Sequence, residues 1–232
     1  WHSRNLTDEH MRGVAHVVSS NLVLEELGLA RNRLGDSGAA LLAQALPSSA
    51  SLRRLWLSGN RIGSHGASAI AAALPGMGWR VAGLPTLEEL WLAMNRVGDA
   101  GALALAKSLP RLPRLRKVDL RSNAIADDGA RALAEALPRL RALDEIYLQD
   151  NRIADAGAMA LAKALPLVAG LRELRLTGNC IGDAGALAFA QALPRAPQLH
   201  GLRLASNRIG DAGGAALALA LPSAPSLQRL HL

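Results

Sequence analysis

The stretch Leu171-Arg-Glu-Leu174-Arg-Leu176-Thr-Gly-Asn179-Cys-Ile181-Gly-Asp183-Ala-Gly185 decides the fold of this chain, because variants of it recur along all 232 residues. Two further clean copies occupy residues 143–157 and 199–213. The spacings between the asparagines of successive copies are 28, 35, 28, 28, 28 and 28 residues, at Asn32, Asn60, Asn95, Asn123, Asn151, Asn179 and Asn207. A fixed period of about 20–50 residues is typical of proteins that stack one structural unit many times.

The first half of each copy predicts a short β-strand. Leu174 and Leu176 alternate with polar residues, as expected for a strand that buries one face. Leu171 points inward from the approach to the strand, and Asn179 ends it. One buried face leaves the other face of the strand open to contact.

The second half of each copy predicts an α-helix. Asp183 is expected to cap the N-terminus of the helix that follows it. Gly185 lies two residues inside, where the missing side chain is expected to let the helix approach the sheet. Phe189 and Leu193 are four residues apart and are expected to face the core. Pro194 is expected to end the helix.

The pattern L-x-x-L-x-L-x-x-N resembles that of leucine-rich repeats. With the 28-residue spacing and the I-G-D-x-G step before the helix, it resembles the ribonuclease-inhibitor-like class. That class includes the Ran GTPase-activating proteins and the repeat regions of NOD-like receptors. The resemblance covers nearly the whole chain. It implies a right-handed α/β solenoid, a horseshoe with a parallel sheet on the concave side and helices on the convex side. It also implies that the asparagine amides form a ladder, bonding to loop backbone that would otherwise be buried and unpaired.

We expect residues 1–232 to form a single domain of about seven full repeats, with partial repeats at both ends. The pattern predicts eight helices and eight strands. The sequence begins with Trp1, Arg4 stands where an asparagine is expected, and neither end has a polar cap, so a longer parent protein is expected. The 35-residue spacing predicts an insertion loop at 75–86. This loop either carries Met77 and Trp79 to a partner, or is a tolerated surface insertion or a gene-model artefact.

The composition limits the class of protein further. Hydrophobic residues make up 50% of the chain and aromatic residues only 3%, so the core must consist of leucine, alanine, isoleucine and valine. The single cysteine, Cys180, cannot form an internal disulfide and indicates a reducing compartment. Neither a signal peptide nor a long apolar run is visible, so we expect a cytoplasmic protein without a membrane span.

The strand position between the second and third leucines is expected to face the concave side. It carries Gly28, Trp56, Trp91, Asp119, Tyr147, Arg175, Arg203 and His231. Tryptophan, tyrosine and arginine are enriched at binding hot spots. One interpretation is therefore a partner-binding patch at Trp56, Trp91, Asp119, Tyr147, Arg175 and Arg203 that changes from aromatic to basic. The other is that the two indoles pack on each other and on aliphatic stems.

Two further sets of charges favour structural roles. The residue pairs after the first leucine alternate in sign from strand to strand, which predicts lateral ion pairs between strands. They are Glu25-Glu26, Arg53-Arg54, Glu88-Glu89, Arg116-Lys117, Asp144-Glu145 and Arg172-Glu173. A second column, directly after the asparagines, carries Arg33, Arg61, Arg96, Arg152 and Arg208 and is expected to solvate a loop edge. A phosphate track needs one sign along its groove, so a nucleic-acid partner is disfavoured despite the net charge of +7.

The sequence predicts a protein-interaction module without intrinsic catalysis. No spacing of His, Cys or carboxylate residues suggests a metal site, and no glycine-rich loop suggests a bound cofactor. The resemblance leaves a second possibility, a GTPase-activating protein of the Ran-specific type acting on a small GTPase. Nuclease inhibitors that resemble this fold are acidic and cysteine-rich, which argues against that role for a chain of net charge +7. The partner itself is not identified by the sequence.

Overall fold

The structure is a computed structural model that describes residues 1–74, 86–224 and 226–232. The insertion expected at 75–86 lies outside the described residues, apart from Thr86. Strands and helices alternate along the chain. The strands are β1 Glu26–Gly28, β2 Arg54–Trp56, β3 Glu89–Trp91, β4 Lys117–Asp119, β5 Glu145–Tyr147, β6 Glu173–Arg175, β7 Gly201–Arg203 and β8 Arg229–His231.

The helices of the described residues are α1 Met11–Ser20, α2 Asp36–Ala45, α3 Ser64–Ala73, α4 Gly98–Ser108, α5 Asp127–Ala136, α6 Asp155–Ala164, α7 Asp183–Ala192 and α8 Asp211–Ala220. In six repeats the Leu-Pro step after the helix forms a short 3-10 turn, as at Leu193–Arg195. Proline lacks an N–H and cannot continue the α-helix, so the chain turns back towards the sheet.

The eight strands form one parallel sheet in chain order, with helices between them, so the predicted right-handed α/β solenoid is confirmed. The register pairs equivalent residues of successive repeats: Leu27 pairs with Leu55, and Leu55 with Leu90. Residues at the same position of successive repeats therefore lie side by side, in a row that crosses the sheet. The sheet is open, with β1 and β8 at its two edges.

The core lies between the sheet and the helices. It consists almost wholly of Leu, Ile, Val and Ala, and Phe189 is its only buried phenylalanine because the chain has one. Phe189 and Leu193 are both buried, as predicted. Small alanines on the helices allow each helix to lie close to its neighbour, so the layers stack without bulky spacers.

The asparagine amides connect each repeat to the one before it. Asn179 is typical: its Oδ1 accepts a hydrogen bond from the Ile153 backbone at 3.0 Å, and its Nδ2 donates to the carbonyls of Leu148 at 2.9 Å and Leu176 at 3.0 Å. Equivalent contacts occur at Asn32, Asn60, Asn95, Asn123, Asn151 and Asn207. The amide thus satisfies a donor and an acceptor that the strand end leaves buried.

The aspartates at the helix starts do not cap their own helices, so that prediction is wrong. Asp183 is the first residue of α7, whose N-cap is Gly182 and has no side-chain cap bond. Asp183 Oδ1 instead accepts hydrogen bonds from Gly210 at 2.7 Å and Gly213 at 2.9 Å, at the N-terminus of α8. The carboxylates of Asp36, Asp99, Asp127 and Asp155 act in the same way. Each stabilises the helix of the next repeat, where free N–H groups and the positive end of the helix dipole converge.

The same contact explains the glycine two residues into each helix. A Cβ at Gly185 would lie 2.9 Å from Asp155 Oδ1, 2.9 Å from Ala158 Cβ and 2.6 Å from Ile181 Cγ2. The missing side chain therefore permits close approach to the preceding helix, and not to the sheet as the sequence suggested.

Ser64 interrupts the series of aspartates. It occupies the helix-start position of α3, and the next helix, α4, begins differently from the others. Gly98 has a φ of +59°, and its N–H donates to the carbonyl of Asn123 at 2.9 Å. Glycine allows this left-handed conformation at little cost. Ser64 has no carboxylate to accept a hydrogen bond from the Gly98 N–H, and this N–H therefore donates to the Asn123 carbonyl.

We expect Asp155→Ala to lower the free energy of unfolding by about 2 kcal/mol, because two partly buried N–H donors at the N-terminus of α7 lose a charged acceptor. Asp211→Ala is the matched control, since Asp211 has the same position in α8 and makes no cap bond to its own helix. We expect that control to cost less than about 0.5 kcal/mol. Urea unfolding followed by circular dichroism measures both. Equal losses would show that the aspartates act on their own helices.

Candidate protein-binding face

The concave column predicted from the sequence is a continuous row across the sheet. Register pairs run from Gly28 to Trp56, Trp91, Asp119, Tyr147, Arg175, Arg203 and His231. The side chains of Trp56, Trp91, Arg175 and Arg203 are partly exposed. The structure therefore places all six proposed contact residues on one face, but it does not leave all six accessible.

An aromatic and cationic stack occupies the middle of this face. The rings of Trp91 and Tyr147 lie 6.0 Å apart between centroids and are nearly parallel. The Arg175 guanidinium lies 4.6 Å from the Tyr147 ring centre on the neighbouring strand. The Trp91 indole N–H also donates to Glu89 at 2.9 Å. We call Trp91, Tyr147 and Arg175 the central stack. Its contacts hold three hot-spot residue types in fixed positions.

The central stack buries Asp119, which lies on the strand between Trp91 and Tyr147. Asp119 is 1% exposed and Tyr147 is 7% exposed. Asp119 accepts hydrogen bonds from Arg121, at 2.9 Å from Nε and 2.7 Å from Nη2. This bonding raises the pKa of Arg121. The expectation that Asp119 and Tyr147 are open to a partner is therefore corrected: they support the surface from below, and Arg121 is the exposed member of the pair.

Trp56 and Trp91 do not form a joint indole pair. Trp56 packs against His2, with ring centroids 5.2 Å apart, while Trp91 packs against Tyr147. His2 occupies the space above Gly28, where a Cβ would clash with its imidazole. The face therefore has two separate aromatic groups. One consists of His2 and Trp56, and the other of Trp91 and Tyr147.

Lateral ion pairs connect the charged columns, as predicted. Arg53 lies 3.8 Å from Glu25 and 3.5 Å from Glu88, so it bridges strands on both sides. Arg54 pairs with Glu26, Arg116 with Asp144 at 2.6 Å, and Lys117 with Glu145 at 3.3 Å. Most of these side chains are partly exposed, so each pair contributes a few tenths of a kcal/mol to about 1 kcal/mol.

The alternation breaks at β6, where Glu173 follows Glu145 in the same column. Glu173 is 4% exposed and lies 3.3 Å from Arg175, 2.8 Å from Arg203 and 3.1 Å from Arg229. Three arginines therefore surround one buried carboxylate at this end of the face. We call Arg172, Arg175, Arg203 and Arg229 the arginine cluster.

Tyr147 and Glu145 form a hydrogen bond at the base of the central stack. Burial, reinforced by this bond, raises the pKa of Tyr147 far above its ordinary value, so the hydroxyl remains a donor. Burial acts to raise the pKa of Glu145, but the Tyr147 hydroxyl together with Lys117 and Arg175 outweighs it, and the pKa is lowered. Glu145 is therefore ionised at neutral pH and helps to fix the stack.

The other features of the described residues indicate no further binding site. The five arginines of the loop edge are exposed, and none of them takes part in an ion pair within the described ranges. In the same ranges, no three His, Cys, Asp or Glu side chains are grouped to hold a metal ion. None of the described helices has the length and hydrophobicity needed to cross a bilayer.

The sequence analysis missed His2, Arg121 and the central role of Glu173. Arg121 lies two residues after Asp119, the last residue of β4, and an extended chain places such residues on the same side, which was a usable signal. The signal for Glu173 was the break in alternating charge between Glu145 and Glu173. No sequence pattern indicated that His2 would fill the space above Gly28.

We expect Tyr147→Phe to raise the pKa of Glu145 towards its ordinary value of 4.5, because the variant loses the hydroxyl donor and keeps the ring. The free energy of unfolding at pH 7 should fall by about 1 kcal/mol. Because the folded-state pKa of Glu145 is depressed, its stabilising contribution is present above pH 4.5 and is lost as the pH falls through that folded-state pKa. The difference from wild type should therefore shrink in acid.

Carboxyl NMR titration and urea unfolding at neutral and acid pH measure these two effects. A loss of stability that persists unchanged in acid would mean that the hydroxyl acts on packing and not on the charge of Glu145.

Comparisons with known proteins agree with this architecture. Seven segments match the family model described as "Leucine Rich repeat", at residues 20–43, 48–71, 83–106, 112–134, 141–162, 171–190 and 199–218. No curated protein matches the chain. Among solved structures, the chain is similar to "Leiomodin-1 Actin-Binding Site 2 (ABS2)", at 23% identity and a TM-score of 0.51, over 57% of this chain and 77% of that one. That likeness shows the shared fold, and the seven matched segments show that this chain belongs to the leucine-rich-repeat family.

Proposed function

We propose that this chain is a protein-interaction module that binds a partner protein on its concave face and has no catalytic activity of its own. The observation that carries the proposal is the central stack of Trp91, Tyr147 and Arg175. Tryptophan and arginine are enriched at the hot spots of protein interfaces. The buried Tyr147 ring holds Trp91 and Arg175 in position, and fixed side chains lose little entropy on binding.

The surroundings of the stack support the same proposal. Trp91 and Arg175 are partly exposed on the open side of the sheet, while the helices pack on its other side. Lateral ion pairs form a polar margin around the stack, as in interfaces with an apolar centre and a polar rim. The leiomodin-1 structure is described as an actin-binding site, so protein binding is compatible with this fold. Its identity of 23% transfers no partner to this chain.

The finer assignments belong to the same proposal. We place the chain in the ribonuclease-inhibitor-like class because of its 28-residue spacing and the I-G-D-x-G helix start. We place it in a reducing compartment such as the cytoplasm because Cys180 is its single cysteine. The mixed signs on β1–β5 favour a protein over a nucleic acid as the partner.

Affinity capture from a cell lysate with the double variant Trp56→Ala/Trp91→Ala tests the concave face. We expect wild type to retain a partner and the variant to retain at least about tenfold less, because hot-spot truncations cost about 2 kcal/mol or more. The matched control is Met159→Ala/Leu187→Ala, which truncates exposed apolar side chains on the convex helices α6 and α7.

The control should capture as much partner as wild type, and circular dichroism should show that both variants are folded. Loss of the partner only in the convex control would overturn the proposal. Capture of a small GTPase whose GTP hydrolysis this chain accelerates would replace it with the GTPase-activating alternative.

A further inference from the structure

The two ends of the concave face differ in charge. Three positions of each strand segment face the groove: the two residues after the first leucine and the residue between the second and third leucines. Over β1–β5 these positions carry seven carboxylates and four cations. Over β6–β8 they carry one carboxylate, Glu173, and the four arginines of the arginine cluster. The positive charge of this face is therefore concentrated at the β6–β8 end.

The arginine cluster retains unused hydrogen-bond donors. Each guanidinium has five N–H donors. Among the described residues, Glu173 contacts three of the four arginines, and Glu145 lies 3.8 Å from Arg175. Arg203 donates to Glu173 through Nε at 2.8 Å, and Arg229 through Nη2 at 3.1 Å. Within the described part of the chain, Arg175 Nε is buried 3.3 Å from Glu173, so the donors that Arg175 can offer a ligand are on its terminal nitrogens. In that same part Arg172 is exposed and has no carboxylate within ion-pair distance.

Three of the four arginines are also held in place before any ligand arrives. Arg175 is fixed by its stacking on Tyr147, and Glu173 holds Arg203 and Arg229. Arg172, Arg175 and Arg229 line one part of a polar groove of about 580 Å³ on the concave face, together with Glu173. The rest of its lining has mixed charge and consists of Arg54, Glu88, Glu89, Arg116, Lys117, Asp144 and Glu145. Fixed guanidinium groups match the two oxygens of a carboxylate, and ordering them in advance reduces the entropy cost of binding.

We propose that the arginine cluster binds an acidic peptide segment of the partner, with two or three carboxylates over β6–β8 and an apolar side chain against Trp91. This proposal rests on the proposed function and specifies its ligand. The positive region covers three strands, or about 10 Å at a strand spacing of about 4.8 Å. That length suits a short acidic segment. A nucleic-acid strand would continue over the acidic columns of β1–β5 and be repelled.

Fluorescence anisotropy with purified protein tests the proposal. The probe is a fluorescein-labelled peptide with three glutamates alternating with glycines, followed by a leucine, and the comparison probe has glutamine in place of glutamate. We expect the glutamate peptide to bind at low ionic strength at least about tenfold more tightly than the glutamine peptide, and to weaken as salt is added.

Two double variants locate the binding site. Arg172→Gln/Arg229→Gln removes two exposed cations from the cluster and should weaken binding about tenfold. Arg53→Gln/Arg54→Gln removes the same charge from the same repeat positions on β2, and should leave affinity within about twofold. Equal weakening by both variants, or no binding to wild type, would overturn the proposal. So would a thymidine oligonucleotide that binds as tightly as the peptide and loses affinity with the cluster variant.

The two proposals can fail separately. Loss of peptide binding, with lysate capture still dependent on Trp56 and Trp91, would overturn the acidic ligand and leave the concave interface. Capture that does not depend on the concave face, with peptide binding intact, would overturn the proposed function and leave an anion site.

Discussion

The structure depends on hydrogen bonds that a single repeat cannot make for itself. At each strand end, an asparagine amide pairs with the backbone of the preceding repeat, as Asn179 does with Ile153 and Leu148. At five of the helix starts, an aspartate supplies the acceptor for the next helix, as Asp183 does for Gly210 and Gly213. These contacts run in opposite directions along the chain, so each inner repeat is completed from both sides. The straight rows on the concave face follow from this regular stacking.

The sequence predicted the layer architecture and the concave row because both follow from the period alone. Once successive copies stack in register, Trp56, Trp91 and Asp119 must lie on neighbouring strands. It did not predict which neighbour a short side chain contacts. In the sequence, Asp183 has the position of a residue that caps its own helix. In the structure, the stacking of the repeats places its carboxylate beside the next helix. The sequence also did not predict how exposed each side chain of the row is. The burial of Asp119, for example, depends on the rings of Trp91 and Tyr147 packing together above it.

Charge on the concave face has two different roles. On β1–β5 opposite charges pair between strands and carboxylates are in excess. The pairing favours a single register of the sheet. On β6–β8 the carboxylates are replaced by His200, Gly201 and Gln228, and the arginines gather around Glu173. The central stack lies at the boundary between these regions and contributes Arg175 to the second. The aromatic and electrostatic parts of the face are therefore one connected structure.

Ser64 has a consequence for the cooperativity of the solenoid. In a linear array, stability is approximately the sum of the stabilities of single units and of the couplings between neighbours. The carboxylate coupling from α2 to α3, made by Asp36, has no counterpart from α3 to α4, where serine stands in place of aspartate. That boundary is the weak link for this type of coupling. Partial unfolding should divide the array there, so that β4–β8 can remain folded while the helices and strands before α4 open.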